Sequence, residues 1–213
     1  MMKEFDKKYF SKDIKYLAGV DEAGRGPLAG PVVAAAVIFR KSTIIKGIND
    51  SKLLTEKKRE ALYDKIISSA LAYSVSIVEH VVIDEVNILN ATLRAMKQCI
   101  DDLKIKPDLV LVDGNRKFQS EIPVITIVKG DSKSFSIAAA SILAKVTRDR
   151  LMKKLSEQYP VYLWEQNKGY PTKRHREIIR IFGPSPLHRK SFLKNILTEQ
   201  QVLEFDTNVI KVE

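Results

Sequence analysis

The chain has 213 residues, 45% of them hydrophobic and 29% charged, the balance of a globular protein that can bury a substantial core in one domain. No apolar run approaches the roughly 20 residues that span a bilayer, the start MMKEFDKKYF lacks the apolar stretch of a secretory signal, and a single cysteine, Cys99, excludes an intrachain disulfide framework. A cytoplasmic protein is therefore expected. Thirty-six Lys and Arg against 26 Asp and Glu leave a net charge of +10, which suggests a polyanionic partner because each phosphate neutralised releases counterions.

Met1 to Lys15 is polar and reads as a leader strand or loose terminus. Tyr16 to Val20 is a short apolar strand that runs into Asp21 and Glu22, and Gly24, Arg25, Gly26, Pro27, Gly30 and Pro31 then bar any regular element. Val32 to Phe39 is a β-branched strand, and Lys41 to Lys46 is expected to add an edge strand. Asn49-Asp50-Ser51-Lys52 makes a turn, after which Thr55 caps a helix with an apolar face of Leu62, Ile66, Ile67 and Ala70. Tyr73 to Val78 alternates as a half-solvated strand. Asp84 is expected to cap a helix carrying Ile88, Leu89, Leu93, Met96 and Ile100.

Leu109 to Val112 is a continuous apolar run ending at Asp113, as suits a strand buried on both faces. Ile122 to Val128 is the next strand, followed by Lys129-Gly130-Asp131. Ser134 to Gln158 reads as one long helix with Ile137, Ala140, Ile142, Leu143 and Val146 inward and Arg148, Arg150, Lys153 and Lys154 outward. A capped helix from Thr172 to Phe182, stopped by Gly183-Pro184, completes a basic extension too short for a core of its own. We thus expect one domain, with an α/β core over residues 1–160 and a helical extension and tail over 161–213.

Three strand-like runs end in acids. Ligands of an open α/β sheet gather beyond the carboxyl ends of its strands, so Asp21, Glu22, Asp113 and Asp131 are expected at one cleft. Any one of them is ordinarily a turn residue or cap, but a basic chain has no structural use for all of them together. Without a cation their mutual repulsion would raise some of their pKa values. An oxygen-only set suits Mg²⁺ or Mn²⁺ rather than zinc. Successive strand residues face opposite ways, so Asp21 and Glu22 reach one ion only if the strand bends, or if Glu22 serves a second ion or ligates through its carbonyl.

DEAGRGPLAGP, LVDG around Asp113, KGDSKSFSIAAASILAKVTRD, and NKGYPTKRH with HRKSF together resemble the ribonuclease HII family of bacteria, from about Tyr16 to Phe192. The resemblance implies a ribonuclease H-like mixed sheet flanked by helices with a C-terminal helical extension. It implies metal-dependent cleavage of the RNA strand in RNA–DNA hybrids and of the phosphodiester 5′ to single ribonucleotides in duplex DNA, leaving 3′-hydroxyl and 5′-phosphate ends. Its acidic tetrad falls on Asp21, Glu22, Asp113 and Asp131, holding two Mg²⁺ or Mn²⁺ ions. Gly24, Arg25 and Gly26 would read the ribose 2′-hydroxyl, and Tyr170 would stack on the neighbouring deoxyribose. The related type 3 enzymes carry an added N-terminal domain and a threonine in place of Arg25.

Lys52 is a candidate phosphate contact with a solvated loop lysine as the alternative, and Ser132 is an anion-contact candidate at a helix start where capping alone is the alternative. Lys173, Arg174, Arg176, Arg189 and Lys190 are expected to form a duplex-binding stripe, with His175 and His188 contacting phosphate or packing beside them. His80 and Cys99 read as structural. Gln201 to Phe205 loosely resembles a sliding-clamp-binding peptide, and a monomer is expected. A phosphate-loop enzyme is a poor rival, since G-x-G-x-x-G is absent and acids precede the bend. A non-catalytic basic nucleic-acid-binding module would explain the charge but not acids at three strand ends.

Overall fold

The computed structural model describes residues 2–194 and 196–197; the segment Gln201 to Phe205 lies outside them. Helix α1 (Met2–Lys7) precedes strands β1 (Leu17–Ala23) and β2 (Val32–Ile38), helix α2 (Glu56–Ser69), strand β3 (Ala72–Val78) and helix α3 (His80–Asp101). Strands β4 (Leu109–Asp113) and β5 (Val124–Ile127) lead into the long helix α4 (Phe135–Gln158), the short helix α5 (Trp164–Asn167) and α6 (Lys173–Phe182). Among the described residues no helix is long and apolar enough to cross a membrane.

The sheet order is β3-β2-β1-β4-β5. β1 pairs antiparallel with β2 and parallel with β4, and β4 pairs parallel with β5. β1 is therefore central, and its partner β4 ends beside it with Val20 opposite Val112. Alternation along the strands divides the core in two. Val20, Ala34, Ala36, Val110 and Val112 face Met96, Cys99 and Ile100 of α3. Val33, Ala35 and Val37 face Ala139, Ile142 and Leu143 of α4 and Leu62 and Ile66 of α2. Each fully buried Leu or Ile of this kind contributes roughly 1.5–3 kcal/mol. α4 lies directly on β1 at Gly19, where a Cβ would stand 2.2 Å from the Ser136 carbonyl carbon; a side chain there would push the two elements apart.

Several expectations are borne out in detail. Thr55, Ser134 and Thr172 each accept a hydrogen bond from the third residue of the helix they cap, a contribution of about 1 kcal/mol each. Others are corrected. The N-terminus is a helix rather than a leader strand, because docking on α4 gives it a purpose. The buried Asp6 carboxylate accepts from the Ser136 amide at 2.9 Å and hydroxyl at 2.8 Å. Lys41 to Lys46 forms no strand, since both edges of β2 are taken by β1 and β3. Asp84 caps nothing: α3 starts earlier, is kinked at Asn87, and Asp84 accepts instead from the Lys190 and Ser191 amides at 2.8 and 3.0 Å.

Two basic residues expected on the surface are inside. Arg148 and Arg189 are both fully buried. Arg148 shares a face of α4 with Ser141, Lys145 and Met152, so the helix turns it toward the bend after β1 rather than to water. Arg189 is drawn in by backbone carbonyls of that bend. Lys173, Arg174, Arg176 and Lys190 are exposed.

Candidate active site

The parallel pairing of β1 and β4 places Asp21 and Asp113 side by side, one step past the Val20–Val112 register. Both follow residues that face α3, Val20 and Val112, so both project to the opposite, α4 side of the sheet, whereas Glu22 takes the alternate direction. Asp131 arrives from a 3₁₀ turn, Gly130–Ser132, reached after Lys129 reverses the chain at φ 55°. Carboxylate oxygens of Asp21, Asp113 and Asp131 lie within 4.8 Å of one another. Gly130 is needed here: its amide donates to Asp113 Oδ1 at 2.6 Å, and a Cβ would come within 2.6 Å of Ile137 Cδ1.

Asp21, Glu22 and Asp113 line a cavity of about 200 Å³ together with Gly24, Arg25, Gly26, Ser51, Lys52, Ser141, Lys145 and Tyr170. Burial holds the Asp21 carboxyl well above the usual range, and repulsion from Glu22 and Asp113 adds to it. Burial also raises Glu22 against the opposing pull of Arg25, and raises Asp113 with help from Asp131. Local cations are sparse. Lys52 Nζ reaches Asp131 Oδ2 at 3.1 Å and Arg25 reaches Glu22 at 3.3 Å. Burial pulls the Lys52 pKa down, but the bond and charge of Asp131 outweigh it and the net direction is up. Three converging carboxylates, those of Asp21 and Asp113 with raised pKa values, and no His or Cys among them form a donor set that fits a hard divalent ion. Asp21, Asp113 and Asp131 would hold it, with Glu22 at the cavity wall.

The bend beside the acids has two different glycines. Gly24 sits at φ 99°, and a Cβ there would meet Arg148 Nε at 2.2 Å. Gly26 is exposed, has ordinary φ, and a Cβ would meet only Tyr170 Cε1 at 3.7 Å. Internal packing thus requires the first glycine and leaves the second open to approach from outside. Tyr170, 38% exposed, forms the opposite wall.

Ser132 stands outside this cavity, exposed, with its hydroxyl donating to the Lys129 carbonyl at 2.8 Å. Sequence reasoning missed Ser51, Ser141 and Lys145. The Ser51 and Ser141 hydroxyls share a 2.8 Å hydrogen bond, and Lys145 is held by Asp149 at 2.6 Å. The spacing of Ser141, Lys145 and Asp149 by four residues on one helix was the available signal. His175 and His188 are buried, with Nε2 atoms 3.2 Å apart, and touch no surface. Cys99 is buried, its thiol pushed up to about 12 by desolvation, and is chemically quiet.

Comparison with known proteins agrees with this geometry. The family model of ribonuclease HII matches residues 18–195. A ribonuclease HII of Caldicellulosiruptor bescii is 54% identical over 92% of this chain and 95% of its own length. The crystal structure of the ribonuclease H2 from Pyrococcus horikoshii OT3 superposes with a TM-score of 0.71 at 31% identity, covering 92% of this chain and all of that one. The RNase HII in a PCNA complex from Archaeoglobus fulgidus gives 0.68 at 28% identity, over 82% and 93% of the two chains. With a sheet of this order, acids gathered at its centre and a match over most of its length, the chain belongs to the ribonuclease HII family.

Proposed function

We propose that this protein is a metal-dependent endoribonuclease that cleaves the RNA strand of RNA–DNA hybrids and the phosphodiester 5′ to single ribonucleotides embedded in duplex DNA. The observation that carries the reading is the meeting of Asp21, Asp113 and Asp131 within 4.8 Å, next to a bend with an approachable glycine, in a chain of net charge +10. A merely basic binding module would gain nothing from three carboxyls crowded together in mutual repulsion. Mg²⁺ or Mn²⁺ held by these acids would supply Lewis-acid activation of the phosphoryl oxygen and the attacking water.

The remaining roles fall to the chain itself. Lys52, with 77% of its side chain exposed, meets a substrate phosphate as a point charge. The backbone of Gly24, Arg25 and Gly26 reads the ribose 2′-hydroxyl, which distinguishes RNA from DNA, and Tyr170 stacks on the adjoining deoxyribose. Lys173, Arg174 and Arg176 follow the duplex backbone. The products are 3′-hydroxyl and 5′-phosphate ends. One domain performs the reaction, with residues 161–213 serving as its basic extension. The likeness to the archaeal relative in a PCNA complex supports a sliding-clamp contact.

The test is a labelled DNA duplex carrying one ribonucleotide, incubated with Mg²⁺, Mn²⁺ or EDTA. Cutting 5′ to the ribonucleotide with either metal and none in EDTA is expected. Cutting of an all-DNA duplex, or cutting that persists in EDTA, would overturn the assignment.

A further inference from the structure

Arg148 and Arg189 are an unusual pair: both guanidinium groups are fully buried, and among the described residues neither forms an ion pair. A buried charge costs several kcal/mol unless hydrogen bonds replace its water. Here backbone carbonyls replace it. Arg189 Nη2 donates to the Gly24 carbonyl at 2.6 Å and Nη1 to the Arg25 carbonyl at 3.1 Å. Its Nε and Nη2 also reach the carbonyls of Gly30 at 2.9 Å and Pro31 at 3.1 Å. Arg148 Nε donates to the same Pro31 oxygen at 3.0 Å, Nη2 to Ala29 at 3.1 Å, and Nη1 to Lys168 at 2.9 Å.

The consequence for the bend follows from peptide geometry. Every peptide bond here is trans, so each N–H points opposite to the carbonyl of the same unit. Pulling the Gly24 carbonyl inward turns the Arg25 amide outward, and pulling the Arg25 carbonyl inward does the same to the Gly26 amide. Among the described residues neither amide has a recorded hydrogen-bond acceptor within the chain, and both residues line the cavity. Arg148 acts on the other wall. It fixes the Lys168 carbonyl two residues before Tyr170, and its guanidinium lies 5.8 Å from that ring.

We propose that Arg148 and Arg189 are positioning residues for sugar discrimination: they aim the amides of Arg25 and Gly26 into the cavity and hold Tyr170 at a fixed distance from them. The proposal rests on the reading that this bend and Tyr170 recognise the ribose 2′-hydroxyl. Only a planar fork with several donors can bind carbonyls on two segments at once, so lysine at either position keeps the charge and loses the geometry. Burial lowers the pKa of Arg148 to about 10 and of Arg189 to about 9, which leaves both protonated at neutral pH.

The test uses Arg148→Lys and Arg189→Lys in the full chain, each assayed well below its own unfolding midpoint; the two grip different walls, so one folded variant suffices. The readout is the ratio of dissociation constants for an all-DNA duplex and the same duplex with one ribonucleotide, measured by fluorescence anisotropy in EDTA, with kcat and KM in Mg²⁺ alongside. The expected result is at least a fivefold fall of the ratio toward one, with the all-DNA constant within twofold of wild type and KM for the ribonucleotide duplex raised. A residue that only stabilises the fold would lower the midpoint and leave the ratio unchanged, and that result overturns the proposal. Gly26→Ala and Tyr170→Phe separate the two ideas. If either lowers the ratio while both lysine variants keep it, only the positioning role fails. If neither does, or if the wild-type ratio is itself one, the sugar-reading assignment falls and takes this one with it.

Discussion

The carboxylates of Asp21, Asp113 and Asp131 and the guanidinium groups of Arg148 and Arg189 flank the same bend, and all but Asp113 are deeply buried. The arginines are satisfied from within, each spread over several carbonyls. The acids are not: their nearest cation is Lys52, whose side chain is mostly in solvent, and burial leaves the pKa values of Asp21 and Asp113 raised. Buried charge that the chain has already satisfied marks scaffold, while buried charge that it has left unsatisfied marks a place for something to bind.

The comparison can be broken most forcefully at the acids. Asp21→Asn or Asp113→Asn should lower turnover roughly 10³-fold, the scale on which a group acting directly at the reacting centre contributes. The same substitutions remove like-charge repulsion, so each metal-free variant should be about 1 kcal/mol more stable to urea than wild type. Near-wild-type turnover in either would remove these residues from the chemistry.

The bend offers a smaller and sharper contrast. Gly24→Ala must place a side chain at φ 99° and 2.2 Å from Arg148 Nε, so it should destabilise by more than the 1–2 kcal/mol that a left-handed conformation costs about. Gly26→Ala should leave the unfolding midpoint within about 0.5 kcal/mol yet reduce cleavage at a single ribonucleotide roughly tenfold, about 1.4 kcal/mol of transition-state binding. Urea titrations beside initial rates would separate the two. Equal losses of stability would mean that Gly26 also serves the fold.

The extension offers a contrast in pH dependence. Desolvation, with His175 adding to it, pushes His188 down to about 3, well below its unfolded value near 6.5. Between those values the unfolded chain binds the extra proton, so stability is full above about pH 6.5 and declines as pH falls toward 3. At about 1.4 kcal/mol per unit, roughly 2 kcal/mol should vanish between pH 6.5 and 5. The acids respond with the opposite sign, since a raised carboxyl pKa relieves its destabilisation on acidification. The difference between wild type and His188→Asn isolates the histidine; a pH-independent difference would show that His188 does not titrate as placed.

Much of this architecture was legible because local rules and the fold agree. The capping residues Thr55, Ser134 and Thr172 stand where their helices begin, and apolar runs ending in Asp21 and Asp113 announce strands that deliver acids to one edge. Asp84 and Arg189 were illegible for a shared reason. Their partners are backbone groups more than a hundred residues away, and backbone atoms have no sequence signature. Arg148 was partly legible, since it lies seven residues after Ser141 on the inward face of α4, but a cation in a basic helix is read as surface until a buried acceptor is known. The apolar run Leu109 to Val112 told of two covered faces without telling which helix covers which.

The grip of Arg189 on Gly24 spans 165 residues of chain, and this sets the order in which the molecule is completed during synthesis. Strands β1 and β4 and the acids they bear emerge from the ribosome long before residue 189 does, and N-terminal parts of a chain fold first. A chain halted earlier carries the carboxylates but lacks the guanidinium that grips the Gly24 and Arg25 carbonyls. Contacts this distant in sequence are also among the slowest to form. On the roles proposed above, the residues assigned to cutting are thus made well before the residue assigned to choosing where to cut.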